Sequence, residues 1–206
     1  MSSRIIHNGS PNAPHIFLLA HGAGAGMNNT FMNSIAEACS GDDIEVIRFE
    51  FPYMTQQREQ GKKKAPNTQK VLLETFESEL KRLRPAKIFI GGKSMGGRMA
   101  SMIADSHEIE GLICLGYPFH PPGKPERLRT EHLKTLECRT LILQGERDPF
   151  GKQDEVNGYE LSEHIAVEWI PDGEHSFKPR KSSGTTQVAN LELACQHIRR
   201  FILDSL

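Results

Sequence analysis

The central segment of the sequence reads Ile88-Phe89-Ile90-Gly91-Gly92-Lys93-Ser94-Met95-Gly96-Gly97-Arg98, in which an apolar run ends at two glycines and a serine. Apolar residues then recur at helical spacing, at Met95, Met99, Met102 and Ile103. This G-x-S-x-G pattern between a strand and a helix predicts a sharp turn that exposes the hydroxyl of Ser94 above a sheet. The segment therefore predicts a nucleophilic serine, and a glycine-rich turn with a solvated serine is the alternative.

The size and charge of the chain limit the classes of protein that it can represent. It has 206 residues, of which 25% are charged, and a formal net charge of −1. This length suits one domain over residues 1–206 with one sizeable core. The balanced charge does not favour attraction to nucleic acid or to a membrane surface, so neither is expected as a partner.

Cysteine placement and apolar run lengths indicate the compartment. No run of about 18 apolar residues is present, so no membrane span is expected, and the first residues lack the apolar core of a signal peptide. The four cysteines are far apart in sequence: Cys39, Cys114, Cys138 and Cys195. They are typical of buried free thiols in a reducing compartment, which predicts a cytoplasmic protein.

Short apolar strands alternate with amphipathic segments along the chain. Strands are predicted at residues 4–7 (a short edge strand), 15–20, 44–51, 88–90, 111–116, 140–145 and 166–170. Helices are predicted around 31–39, from a cap at Asn67 to Leu83, after Ser94, over 127–136, and over 188–202, whereas the lysine-containing segment 56–66 is predicted as a solvated loop. This alternation predicts the α/β class, as a three-layer α/β/α sandwich with a mostly parallel sheet.

Three chemically useful residues follow three of these strands. Ser94 follows the central strand, Asp148 follows the strand at 140–145, and His175 follows the strand at 166–170. The carboxyl ends of parallel strands share one edge of a sheet, so the three side chains can meet there. A serine hydroxyl needs a base, and a histidine oriented by a carboxylate supplies one. We therefore predict that Ser94, Asp148 and His175 form a catalytic triad.

Other residues compete for these roles. The acids near Asp148 and His175 are Glu146, Asp154, Asp172 and Glu174, and Asp148 is favoured because it directly follows a buried strand. His21 is interpreted as a structural hydrogen-bonding residue. The small residues after Ala20 predict an oxyanion hole, made by the backbone N–H groups of Ala23 and Met95.

Four segments resemble one group of proteins: His21 to Gly26, Arg48 to Met54, Gly92 to Arg98 and Gly116 to Lys124. They are similar to compact α/β-hydrolases without a cap domain, a group of hydrolases distantly similar to dienelactone hydrolases. The resemblance covers nearly the whole chain and implies the α/β-hydrolase fold. Dienelactone hydrolases have a cysteine nucleophile where this chain has Ser94, so their lactone substrate is not carried over.

The resemblance and the triad together predict a serine hydrolase that acts on a small-molecule ester or thioester through an acyl-enzyme. No cofactor and no metal are expected, and the chain is expected to be a monomer or homodimer. The predicted pocket residues are Gly24, Tyr53, Lys93, Tyr117, Phe119 and His120. The alternatives are a catalytically silent interaction module with this fold, and an acyltransferase or peptidase that uses the same triad.

Overall fold

A seven-stranded sheet forms the centre of the molecule in the computed structural model, which describes residues 4–204. Its strands are β1 (Ile5–Asn8), β2 (His15–Ala20), β3 (Ile44–Phe49), β4 (Lys87–Lys93), β5 (Gly111–Leu115), β6 (Thr140–Gly145) and β7 (Ile165–Ile170). They are arranged in the order β1-β3-β2-β4-β5-β6-β7, and all neighbours are parallel except the antiparallel β1–β3 pair. The predicted edge strand, shifted by one residue, and the mostly parallel sheet are confirmed.

Within residues 4–204, six α-helices connect the strands and cover the sheet. They are α1 (Thr30–Cys39), α2 (Pro52–Gln60), α3 (Gln69–Leu80), α4 (Met95–Ser101), α5 (Gln153–Val156) and α6 (Gln187–Leu203). No helix within residues 4–204 has the length and apolar composition needed to span a membrane.

Alternate residues of each central strand face opposite layers of helices. In β2, Ile16 and Leu18 pack in one cluster with residues of α3, such as Phe76. Phe17 in the same strand packs in the other cluster, with residues of α1 and α6 such as Ile198. Both faces of the strand are therefore buried, which explains why its sequence is apolar at every position. The predicted three-layer arrangement is confirmed.

Three local predictions differ from the structure. The predicted loop at 56–66 begins inside α2, which starts with Pro52 in its first turn and ends at Gly61 in the left-handed region. Proline at the first turn favours the start of a helix. Because Phe51 caps this helix, β3 ends at Phe49 rather than at residue 51. The cap of α3 is Thr68, because the side chain of Asn67 instead accepts a hydrogen bond from the backbone of Tyr53 at 2.8 Å.

The third difference lies between β5 and β6. The predicted helix over 127–136 is a single 3₁₀ turn at Glu131–Leu133. Leu128 is 49% exposed, whereas Leu133 and Leu136 are buried, so the three leucines do not form one apolar face. The connection from β5 to β6 therefore crosses the sheet mainly as irregular chain.

Candidate active site

Ser94 lies at the turn between β4 and α4 in a strained backbone conformation. Its φ is 51° and its ψ is −112°, a combination that non-glycine residues rarely adopt. A hydrogen bond from its N–H to the carbonyl of Leu115 holds one side of the turn at 3.0 Å, and Arg98 N–H donates to its carbonyl at 3.0 Å. The backbone is therefore held by both the neighbouring strand and the new helix.

The glycines on either side of Ser94 allow this close approach. A Cβ atom at Gly92 would lie 2.6 Å from the carbonyl oxygen of Ala20, and one at Gly96 would lie 2.6 Å from the same oxygen. Both distances are far below normal van der Waals contact, so β2 and the turn can only meet here without side chains. The small residues of the motif are thus required by packing.

The structure brings His175 and Asp148 together at the carboxyl ends of β7 and β6. His175 Nδ1 lies 2.7 Å from Asp148 Oδ2. The Asp148 side chain is fully buried, whereas that of His175 is 20% exposed. A buried carboxylate accepts the proton on Nδ1, so Nε2 is the unprotonated nitrogen of the neutral ring. This is the tautomer that a histidine base requires.

Two residues that the sequence analysis missed complete the surroundings of this pair. Gln144 Nε2 donates to Asp148 Oδ2 at 3.1 Å, and the backbone N–H of Phe150 donates to Oδ1 at 2.9 Å. The ring of Phe150 also stacks on the imidazole of His175, with centroids 4.2 Å apart. Gln144 was detectable in the sequence as a polar residue inside an apolar strand, whereas Phe150 carried no such signal.

The competing acids stabilise the loops around the site. Glu146 accepts a hydrogen bond from the backbone N–H of Asp172 at 2.6 Å, and Asp172 accepts from Arg180 Nε at 2.8 Å. Hydrogen bonding to Arg180 lowers the pKa of Asp172. Glu174 Oε1 accepts from backbone N–H groups of its own loop, and Asp154 is exposed. The hydrogen-bond partner of the His175 ring is thus Asp148.

The turn after β2 presents unpaired N–H groups to the same edge of the sheet. Within residues 4–204, the N–H groups of Ala23 and Met95 donate to no protein acceptor. The carbonyl groups of this turn have a protein partner, because Tyr53 Oη donates to the carbonyls of Gly22 and Ala23 at 3.2 and 3.1 Å. The turn can therefore direct N–H groups towards a developing oxyanion.

His21 also holds this turn. Its Nε2 accepts a hydrogen bond from the backbone N–H of Phe51 at 3.1 Å, so its Nδ1 carries the proton and donates to the Gly22 carbonyl at 2.7 Å. Burial lowers the pKa of His21, which favours this neutral form. The interpretation of His21 as a structural residue agrees with these bonds.

A cavity of about 290 Å³ joins three segments: the turn at Ser94 (the elbow), the turn after β2 at residues 21–26 (the oxyanion turn) and the loop after β7 that contains His175 (the histidine loop). Its walls are formed by Gly22, Ala23, Gly24, Ala25, Asn29, Phe31, Lys93, Ser94, Phe150, His175 and Ser176. Ser94 and His175 thus face one space, although no hydrogen bond joins their side chains in the part of the chain that the structure describes. Such bonds often tighten only when substrate binds.

Only some of the predicted pocket residues line this cavity. Gly24 and Lys93 line the cavity, whereas Tyr53 lies behind the oxyanion turn. Tyr117, Phe119 and His120 are at most 2% exposed and do not line this cavity.

Packing explains why this proline-rich segment forms no wall of the cavity. The rings of Tyr117 and Phe119 pack together with centroids 4.9 Å apart, and the Tyr117 hydroxyl donates to the Arg129 carbonyl at 3.0 Å. His120 Nδ1 contacts the Pro121 carbonyl at 2.9 Å. The aromatic residues of the segment thus contribute to the core rather than to the cavity.

Lys93 is the one buried cation among the residues that line this cavity. Its side chain is buried, and within residues 4–204 its Nζ has no hydrogen-bond partner. Burial lowers the pKa of this amine to about 8, while the charges of Asp148 and Glu174 oppose that change. The Nζ lies 5.5 Å from the centre of the Phe31 ring, which provides a weak cation–π contact.

Comparisons with solved structures agree with this architecture. A dienelactone hydrolase from Anabaena variabilis superimposes with a TM-score of 0.70 and 17% identity, over 97% of this chain and 92% of that chain. An α/β serine hydrolase without lid from Xanthomonas campestris gives a TM-score of 0.65 and 18% identity, over 96% and 88%. A monoacylglycerol lipase from Paleococcus ferrophilus gives 0.71 and 13%, over 100% of both. At these identities the likeness concerns the fold.

The sequence itself matches a family model described as an alpha/beta hydrolase domain over residues 13–203. This match spans all of the sheet except β1 and includes the elbow, the oxyanion turn and the histidine loop. The chain therefore belongs to the alpha/beta hydrolase domain family.

Proposed function

We propose that this protein is a serine hydrolase that cleaves a small ester or thioester through a Ser94–His175–Asp148 triad. The observation that carries the proposal is the 2.7 Å contact of His175 Nδ1 with buried Asp148, beside a cavity that the strained Ser94 also lines. Nucleophile, base and orienting carboxylate come from three strand ends, as this chemistry requires. The solved hydrolases of the same fold support it as analogues.

The proposed reaction has two steps. In the first, His175 Nε2 takes the Ser94 proton as Oγ attacks the carbonyl carbon, and the N–H groups of Ala23 and Met95 bind the oxyanion. The tetrahedral intermediate collapses, and the alcohol or thiol leaves with the proton from His175. In the second, His175 takes a proton from water, whose oxygen attacks the acyl carbon. The second tetrahedral intermediate then collapses with cleavage of its bond to Ser94 Oγ, His175 returns the proton to that oxygen, and the carboxylic acid is released.

Acyl esters and thioesters of graded chain length test this proposal, with Ser94→Ala as the control. Alanine fits the space of serine, so we expect a folded variant whose turnover is lower by roughly 10⁴-fold. Turnover near the wild-type value in Ser94→Ala would reject Ser94 as the nucleophile.

The same assays separate the alternative functions. A wild-type protein that hydrolyses none of these substrates and reacts with no serine-directed probe would favour the silent interaction module. Transfer of the acyl group to an added alcohol or amine in preference to water would favour an acyltransferase. Cleavage of peptide bonds with little ester hydrolysis would favour a peptidase.

A further inference from the structure

The geometry points to a substrate that carries a carboxylate, bound by the ammonium group of Lys93 in the cavity next to Ser94. This inference rests on the proposed hydrolase function and deepens it by naming the chemical class of the substrate. It begins from a buried cation whose hydrogen-bonding capacity the protein leaves unused.

The side chain of Lys93 lines the cavity, and its ammonium nitrogen lies just behind the cavity wall, out of contact with solvent. Lys93 directly precedes Ser94, and a Cβ built at Gly22 would lie 3.5 Å from its Cγ, so its stem runs beneath the oxyanion turn. A Cβ built at Gly116 would lie 2.9 Å from its Nζ and 3.3 Å from His175 Nδ1. The ammonium is therefore within about 6 Å of the His175 ring, the sum of these two distances.

The carboxylates near Lys93 are committed to other partners. Asp148 accepts from His175, Gln144 and the backbone of Phe150. Glu174 Oε1 accepts two backbone N–H groups of its own loop. These charges keep an ammonium ion tolerable at this position, but neither carboxylate contacts it within hydrogen-bond distance. A buried ammonium without acceptors is costly, and a ligand carboxylate would supply them.

The remaining polar groups of the cavity also favour an acceptor-rich ligand. The backbone N–H groups of Ala23, Gly24 and Ala25 donate to no protein acceptor within residues 4–204. The side chain of Asn29 is already used, since it accepts from Met32 N–H and donates to the Gly26 carbonyl. The cavity thus offers mainly donors and one cation. A lysine with a flexible stem and no bond to break can rotate its ammonium towards an anion.

The carboxylate could belong to the acyl part or to the alcohol part of the substrate, and two pairs of matched esters distinguish these sources. For the acyl part, monomethyl succinate is compared with methyl 4-oxopentanoate, in which a methyl ketone replaces the carboxylate. For the alcohol part, acetoxyacetate is compared with acetoxyacetone. Acid release in a pH-stat at pH 7 gives kcat/KM for each ester.

We expect the wild-type protein to favour the anionic ester of one pair by about 10- to 100-fold in kcat/KM, as for a hydrogen bond between charged partners. Lys93→Met has a similar shape without the charge and should reduce this ratio to about 1 or below. Lys93→Arg should retain part of the preference. Lys178→Met is the matched control, because Lys178 is exposed beside the same histidine loop, and its ratio should equal that of the wild type.

The outcomes separate this inference from the proposed function. If the wild-type protein hydrolyses the neutral esters but favours neither anionic ester, the inference is overturned, whether or not the Lys93 variants fold, and the hydrolase proposal stands. If Lys93→Met keeps the wild-type ratio, Lys93 does not bind the carboxylate and the inference is overturned. If Lys93→Met changes only the pH dependence of both esters in parallel, Lys93 acts on His175 and the inference is again overturned. If no ester is hydrolysed and Ser94 reacts with no serine-directed probe, the proposed function itself fails.

Discussion

Backbone strain at Ser94 and the buried charge of Asp148 occur within a few ångströms of one cavity. A φ of 51° at a serine and a fully buried carboxylate both oppose folding, and both are compensated by the hydrogen bonds described above. The positions of the proposed triad residues were predictable, because each lies within five residues of the end of a strand that apolar residues mark in the sequence. Gln144 stands out in the sequence as a polar residue in an apolar strand, but its partner does not. The roles of Gln144 and Phe150 depend on contacts across the turn at 145–151 that strand periodicity does not encode.

The role of Asp148 can be tested by Asp148→Asn. An asparagine amide can donate to His175 Nδ1, which would leave the proton on Nε2 and prevent it from acting as a base. We expect turnover of a short ester to fall by about 10⁴-fold with the fold preserved. Asp154→Asn, an exposed acid six residues away, should retain wild-type turnover. A large loss of turnover in Asp154→Asn would contradict the assignment. A large loss in Glu146→Gln while Asp148→Asn stays active would contradict it as well.

The proposed carboxylate preference should depend on pH through Lys93. Its pKa is about 8, so the ammonium is present below this pH and is lost as the pH rises through it, while the ester carboxylate stays ionised. The titratable groups that face it are Asp148, Glu174 and His175. We expect the kcat/KM ratio of anionic to neutral ester to be constant from pH 6 to 7 and to fall above about 8. A kcat/KM ratio that rises above about pH 8 would contradict this role of Lys93.

At the scale of secondary structure, apolar periodicity identified the buried strands, whereas it missed helix α2, which is mostly exposed. Strands such as β2 and β5 were predicted correctly because every residue faces a helix layer. Helix α2 was missed because only Tyr53 and Met54 are buried in it, so it has no apolar stripe. The helix expected at 127–136 rested on the need for a crossover between the parallel strands β5 and β6, and the chain makes this crossover mainly without a helix. Prediction from periodicity thus depends on burial.

The contact between β2 and the elbow can be tested by Gly96→Ala. The added Cβ would lie 2.6 Å from the Ala20 carbonyl oxygen and 2.7 Å from that of His21. We expect a loss of roughly 2–3 kcal/mol in the free energy of unfolding from overpacking against backbone, despite the higher helix propensity of alanine. Urea denaturation measures it. Gly24→Ala should change stability by less than about 0.5 kcal/mol, because no atom lies within 4 Å of its added Cβ. Equal stabilities of the two variants would show that the elbow packs more loosely than these distances indicate.

At the scale of the whole molecule, one edge of the sheet carries all parts of the proposed site. The parallel arrangement of β2, β4, β5, β6 and β7 directs their carboxyl ends to this edge. Residues 116–139, all of which the structure describes, contain only a 3₁₀ turn between β5 and β6. This segment packs its aromatic residues into the core and forms no helical lid over the cavity. No helix of this segment therefore covers the cavity beside Ser94.

Among esters with neutral acyl chains, this architecture predicts a preference for short chains over long ones. A cavity of about 290 Å³ can cover a short chain, and each covered methylene contributes about 0.8 kcal/mol, whereas further methylenes stay in water. We expect kcat/KM for acetyl to butyryl esters of one alcohol to exceed that for octanoyl and longer esters, without a rise when substrate forms micelles. An efficiency that increases steadily beyond octanoyl would mean that additional apolar surface covers the chain.

The central claim is that Ser94 is an activated nucleophile, and labelling with a fluorophosphonate tests it most directly. The probe forms a covalent bond to a serine oxygen that a neighbouring base has activated, and intact-mass spectrometry with peptide mapping locates the adduct. We predict one adduct per chain, on Ser94, that is absent from Ser94→Ala and forms much more slowly in Asp148→Asn. A folded wild-type protein that remains unlabelled, or an adduct on another residue that persists in Ser94→Ala, would contradict the account.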